Sequence, residues 1–211
     1  MLLIVSGTAI NLLRYNQLMR KLIILASSSP RRKELLKQAG ISFTVAHSEY
    51  EEDLNLKMKP RALAKYLALG KARAVALRHK EGIVIGADTV VVCGGKVIGK
   101  PADAKDARTI LALLSGKKHE VITGFAIVDT KTNRIISRSV VTGVWFRKIT
   151  PSEIDEYVKT GEPLKAAGAY FIQGDGSKFV DKIKGDHSNI VGLPIKSLIK
   201  VLKKFTKDGP W

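Results

Sequence analysis

Leu22–Gly40 reads LIILASSSPRRKELLKQAG, and the order of its parts decides the fold class. LIILA is a short apolar run of the kind that lies buried inside a sheet. Ser29 suits a helix cap and Pro30 the first helical position, where its missing N–H would have had no partner in any case. The helix then runs through Leu35 and Leu36 to a stop at Gly40. A strand feeding a helix through a tight loop is the unit of an α/β protein, and such a loop lies at the carboxyl edge of the sheet, where open α/β folds bind ligands. The first turn carries Arg31 and Arg32, although the partial positive charge of a helix N-terminus favours Asp or Glu there. Unpaired N–H groups, the hydroxyls of Ser27, Ser28 and Ser29, and two cations make an anion site whose missing charge a phosphate chain would supply. The spacing alone is equally compatible with a capped surface helix whose arginines pair with acids elsewhere.

The alternation continues outward from this stretch. ISFTVAH (41–47) reads as a second strand, and residues 60–79, opening on Pro60, as a long amphipathic helix in spite of Gly70. GIVIGADTVVVCGGKVIGKP (82–101) gives a strand, a paired-glycine hairpin turn and a short returning strand. Residues 103–114 are helical in pattern. Two long strands follow, joined at the polar turn around Thr132 and Asn133, and their antiparallel pairing makes the sheet mixed. PSEIDEYVKTG (151–161) is a helix with proline and acids in its first turn, and a last helix runs from about Pro194 to Phe205.

The chain has 211 residues, 45% of them hydrophobic, enough for one domain or two tightly joined lobes. A single cysteine, Cys93, excludes a disulfide framework and any multi-cysteine metal site. Thirty-six Lys and Arg against 19 Asp and Glu leave a net charge of +17, which favours anionic partners. The cations are scattered, as in KARAVALRHK and VLKKFTK, and are not interleaved with aromatics, so no stable nucleic-acid partner is expected. Residues 1–18 hold neither a membrane-length apolar run nor the pattern of a signal peptide. They are read as an extension, either from an upstream start codon or as a pendant helix, ahead of a single domain over 19–211. The expected location is the cytoplasm, without membrane attachment.

Within GADTVV (86–91), Asp88 interrupts an apolar strand. A carboxylate there is costly unless it is paired, at an edge or bound to a metal, which makes Asp88 the candidate metal ligand or base for orienting water. The acidic cluster SEYEED (48–53) offers Glu51 and Glu52 as further oxygen ligands for a hard divalent cation. Lys100, Lys117 and Lys118 stand near strand ends and suit phosphate oxygens. The glycine-rich segment 161–195 can shape a base pocket, with Gln173 offering donor and acceptor, or can equally be a structural crossover. No GxxxxGK[ST], GxGxxG or HExxH is present, and His47, His79, His119 and His187 lack metal-ligand spacing.

Taken in order, LASSSPRR, GADTVV, GKP, LSGKKHEVITG, GEPLKAAGAYFIQG and GDHSNIVGLPI closely resemble the Maf family of nucleoside triphosphate pyrophosphatases, over residues 21 to about 205. The resemblance implies an elongated mixed sheet with flanking helices, two lobes around a cleft, similar to the inosine triphosphate pyrophosphatase fold, commonly as a homodimer. It implies cleavage of a nucleoside triphosphate between the α and β phosphates with a divalent metal such as Mg²⁺ or Mn²⁺. By position, Ser27, Arg31 and Arg32 match the phosphate motif, Asp88 the family's base or metal ligand, and Lys100 the lysine of GKP. Lys71 matches the lysine of the family's KA helix and Gln173 the glutamine of IQG. Glu52 is preferred to Glu51 as second metal ligand. AAGAYFIQG looks like the subgroup acting on dTTP and UTP, with two departures, Ala166 for a commoner polar residue and Phe171 for a commoner glycine. A regulator that binds nucleotide without turning it over is the alternative.

Overall fold

The computed structural model describes residues 22–51, 53 and 56–207; the extension 1–18 and Glu52 lie outside the described residues. The elements are strands β1 (Ile23–Leu25), β2 (Thr44–Val45), β3 (Ile83–Cys93), β4 (Lys96–Ile98), β5 (Lys118–Asp129), β6 (Ile135–Phe146) and β7 (Val180–Lys184). Helices α1 (Pro30–Gln38), α2 (Pro60–Ala76), α3 (Ala104–Leu114), α4 (Pro151–Lys159), α5 (His187–Val191) and α6 (Ile195–Lys207) flank them. One sheet runs in the order β2-β1-β3-β5-β6-β7, with β4 folded back on the end of β3. β2, β1 and β3 are parallel and the remaining pairs antiparallel, so the sheet is mixed as expected.

Two expectations need adjusting. The strand read over 41–47 shrinks to Thr44–Val45, both exposed at the sheet edge, where no further strand among the described residues extends the pairing. The segment 161–195 contains an edge strand, β7, and the short helix α5, besides three 3₁₀ turns at Pro163–Lys165, Ala167–Ala169 and Asp175–Phe179. In β7 only Val180 and Ile183 are partly buried and the other three residues are exposed, a spacing of three that does not follow apolar alternation.

The eleven residues of β3 explain where the cleft forms. Side chains alternate faces along a strand. On one face, Ile83, Ile85 and Ala87 join a core with Leu25, Leu36, Phe125 and the inner side of α6. Further along that face, Val91 and Cys93 enter a different core, built with α3, α4, Phe146, Tyr170 and Phe179. Thr89 sits at the seam between them. On the opposite face α2 lies very close to the sheet: a Cβ on Gly86 would come within 2.3 Å of the Ala68 carbonyl oxygen, and one on Gly124 within 2.2 Å of that of Ala64. These glycines let the helix backbone rest directly on β3 and β5, and Gly124 is the register partner of Asp88.

Candidate active site

The loop after β1 and the start of α1 are held by their own hydroxyls. Ser29 accepts the Arg32 backbone N–H at 3.4 Å, Pro30 occupies the first turn, and that turn contains no acid. Arg32 reaches back with three donors: Nε to the Gly192 carbonyl at 2.9 Å, Nη1 to Ser27 Oγ at 3.2 Å and Nη2 to Thr89 Oγ1 at 3.3 Å. One guanidinium therefore joins the β1 loop, the seam of β3 and the turn before α6. Arg31 behaves differently, lying 3.8 Å above the ring centroid of Phe171. Its burial, and after that the neighbouring charge of Arg32, lower its pKa from the usual guanidinium value.

Asp88 projects from β3 toward α2, where Lys71 Nζ donates to its Oδ1 at 2.5 Å. Only 7% of the Asp88 side chain and 12% of that of Lys71 reach solvent, so each charge has the other as a partner in a largely buried setting. Gly70 has its reason beside this pair, since a Cβ there would lie 2.4 Å from the ring of Tyr50, which packs against the helix at that point.

These groups face one cavity of about 630 Å³. Ser27, Arg31, Arg32, Lys71, Asp88, Lys100 and Gln173 all line it. Ala166 and Phe171, the two departures from the family pattern, line it too. Lys117 and Lys118 do not; Lys118 instead sets its ammonium 5.3 Å from the Trp145 ring centroid. Glu51 is exposed and absent from the lining. Among the described residues no three His, Cys, Asp or Glu side chains converge as a metal cluster. The lining brings together five Lys or Arg residues, Lys165 being the one that sequence reasoning missed, and Asp88 as the one carboxylate among the described residues.

The family model described as Maf-like protein matches residues 22–205. The chain belongs to that family. Among its curated relatives, a Bacillus cytotoxicus protein named dTTP/UTP pyrophosphatase is 50% identical over 88% of this chain and 96% of its own length. A Desulforamulus reducens protein of the same name is 46% identical over 87% of this chain and 96% of its own length. One from Bacillus cereus strain AH820, also so named, is 49% identical over 90% and 98%.

Behind the cavity of this Maf-like chain runs a buried polar network that motif reading did not resolve. Thr89 Oγ1 meets Thr123 Oγ1 at 2.9 Å, and Thr123 Oγ1 donates to the Asn189 carbonyl at 2.7 Å. Asn189, fully buried, accepts the Thr123 N–H at 3.2 Å and donates to the Val121 carbonyl at 2.9 Å and Thr142 Oγ1 at 3.0 Å. Thr142 in turn donates to the Asp186 carbonyl at 2.9 Å. The string GDHSN is thus a clamp that fixes β5, β6 and, through Thr89, Arg32. A polar Asn beside the apolar Ile190 and Val191 was the available signal.

Tyr170, which lines the cavity, shares a hydrogen bond of 2.9 Å with His119, and both rings stand edge-on to Phe146. His119 is 1% exposed, and burial pushes its pKa down from 6.5 to about 4. Tyr170 is pushed up, also by burial.

Proposed function

We propose that this protein hydrolyses nucleoside triphosphates, dTTP and UTP foremost, between the α and β phosphates, releasing the monophosphate and pyrophosphate. The observation that carries the reading is the charge pattern of the cavity: Arg31, Arg32, Lys71, Lys100 and Lys165 around a single described carboxylate, Asp88. Five cations offset by the one Asp88 carboxylate leave a positive excess that suits a triphosphate, and the α1 N-terminus adds its unpaired N–H groups. The names of relatives near 50% identity over nearly the whole domain support both the reaction and the pyrimidine preference.

In this mechanism Ser27 and the α1 N-terminus receive phosphate oxygens, while Arg31, Arg32 and Lys100 offset the charge that builds on the departing pyrophosphate. Asp88 orients the attacking water and takes its proton. Lys71 balances Asp88 in the resting site. Gln173, exposed on the cavity rim, presents its amide to the base edge. The buried oxygen donor of Asp88, together with substrate phosphates, fits the few-carboxylate sites typical of Mg²⁺ and Mn²⁺, with Glu52 the further ligand expected from sequence. Such an ion would supply Lewis-acid polarisation of the phosphates and lower the pKa of a bound water.

The test is incubation of the purified protein with dTTP, UTP, CTP and GTP plus Mg²⁺ or Mn²⁺, with separation of the products. Monophosphate and pyrophosphate, from dTTP and UTP first, are expected. Diphosphate with phosphate would overturn the bond assignment. Binding without any product would leave a nucleotide-binding regulator in its place. The cytoplasm and a homodimer remain the proposed setting; no helix among the described residues is long and apolar enough to cross a membrane.

A further inference from the structure

Arg31 and Phe171 both line the cavity and meet there from opposite sides of the seam. Arg31 belongs to α1, whose Leu36 is buried in the first core. Phe171 directly follows Tyr170, which is buried in the second. The ring stands on an anchored loop. The Phe171 N–H donates to Tyr157 Oη at 3.3 Å, and that hydroxyl donates to Glu162 at 2.7 Å. Glu162 also accepts the N–H groups of Asp175 at 3.2 Å and Gly176 at 3.4 Å, holding the loop on both sides of Gln173. The fit is close, since a Cβ on Gly174 would lie 2.4 Å from the Glu162 carboxylate.

The two arginines of the first turn are therefore fixed by different means. Arg32 is tied by three hydrogen bonds, whereas Arg31 lies at 3.8 Å from the centroid of an aromatic ring. A long side chain loses rotamer freedom when it engages a ligand, and a cation already stacked on a ring loses less. A guanidinium stacked by one face keeps its edge N–H donors clear of the ring; the carboxylate whose charge acts on Arg31 is Glu162 of the same loop anchor.

We propose that Phe171 is a positioning residue for Arg31: its ring holds the guanidinium on the cavity lining, ready for phosphate oxygens. The loop that bears Gln173, held by Tyr157 and Glu162, then also sets a cation of the phosphate site. This rests on the nucleotide reading above.

The experiment compares wild type with Phe171→Leu, which keeps bulk without the π face, Phe171→Trp, which keeps the face, Arg31→Gln, and the Arg31→Gln/Phe171→Leu pair. It follows KM and kcat for dTTP, and binding of inorganic pyrophosphate by calorimetry. Phe171→Leu is expected to raise KM and weaken pyrophosphate binding by roughly three- to thirty-fold, with kcat changed less than about two-fold. Phe171→Trp should stay near wild type. On the Arg31→Gln background Phe171→Leu should add nothing, which a merely structural loss would not predict. Wild-type behaviour of Phe171→Leu, equal impairment by Phe171→Trp, or additive losses would each overturn the proposal. Absence of turnover by the wild type would instead overturn the nucleotide reading, and pyrophosphate binding would still decide the role of Phe171.

Discussion

Helices α1 and α4 begin alike and end up with opposite tasks. Each is nine residues long, each has a hydroxyl cap, Ser29 or Thr150, and each has proline in its first turn. At α4 the chain closes its own N-terminus: Thr150 and Glu153 form a reciprocal capping box, and Arg147 donates to Glu153 at 2.6 Å. The hydrogen bond from Arg147, then those from Thr150, push the Glu153 pKa down to about 2. At α1 there is no acid, two arginines take its place, and the end opens on the cavity. A helix start that forgoes the acid its dipole favours, beside a cavity, leaves its positive end for a ligand.

The largest effect should come from the carboxylate facing the open end. Asp88→Asn should lower kcat for dTTP by roughly 10²–10⁴-fold, and should also lower the melting temperature because it takes the Asp88 charge away from the nearly buried Lys71 ammonium. Turnover within about ten-fold of wild type would remove the proton-transfer role.

Bonded to Tyr170 of the cavity lining, His119 links stability to pH. Its folded pKa of about 4 lies below the unfolded value of 6.5. The unfolded state therefore binds its proton first, and stability falls as pH drops through 6.5 toward 4, by about 3 kcal/mol in full. Denaturant melts across that window should show the slope, and His119→Gln should flatten it; an unchanged slope would place the loss in other groups.

Converting one helix end toward the other sharpens the contrast. Arg31→Glu gives α1 the acid it lacks, so thermal stability should hold or rise by about 0.3–1 kcal/mol while KM for dTTP rises at least about ten-fold. A fall in stability with unchanged KM would reverse the assignment of that end.

The smallest effect lies at α4. Thr150→Ala should cost about 1 kcal/mol, roughly 2–4 °C in melting temperature, with kinetics unchanged. The contribution of Glu153 is present above the unfolded carboxylate pKa of 4.5 and is lost as pH falls through about 2, so the variant should differ least from wild type in strong acid.

Sequence by itself determined the α/β class, the strand and helix order from β1 to α4, and the set Ser27, Arg31, Arg32, Lys71, Asp88, Lys100 and Gln173 that meets in one cavity. Local signals carry the elements and Ser27, Arg31, Arg32 and Asp88: apolar period, Pro and Ser at a helix start, paired glycines at a hairpin, a carboxylate inside an apolar strand. Lys71 entered only through the resemblance to the Maf pattern, which also singled out Lys100 and Gln173. Tertiary structure alone decided that Lys117 and Lys118 turn away and that Lys165 faces in. It also decided that β7 joins the sheet edge and that the arginines part company, Arg32 to Ser27, Thr89 and Gly192, Arg31 to Phe171. The physical reason is sequence distance: Arg32 and Gly192 stand 160 positions apart, and no periodicity or propensity reports which distant backbone carbonyl or ring face a long side chain will meet.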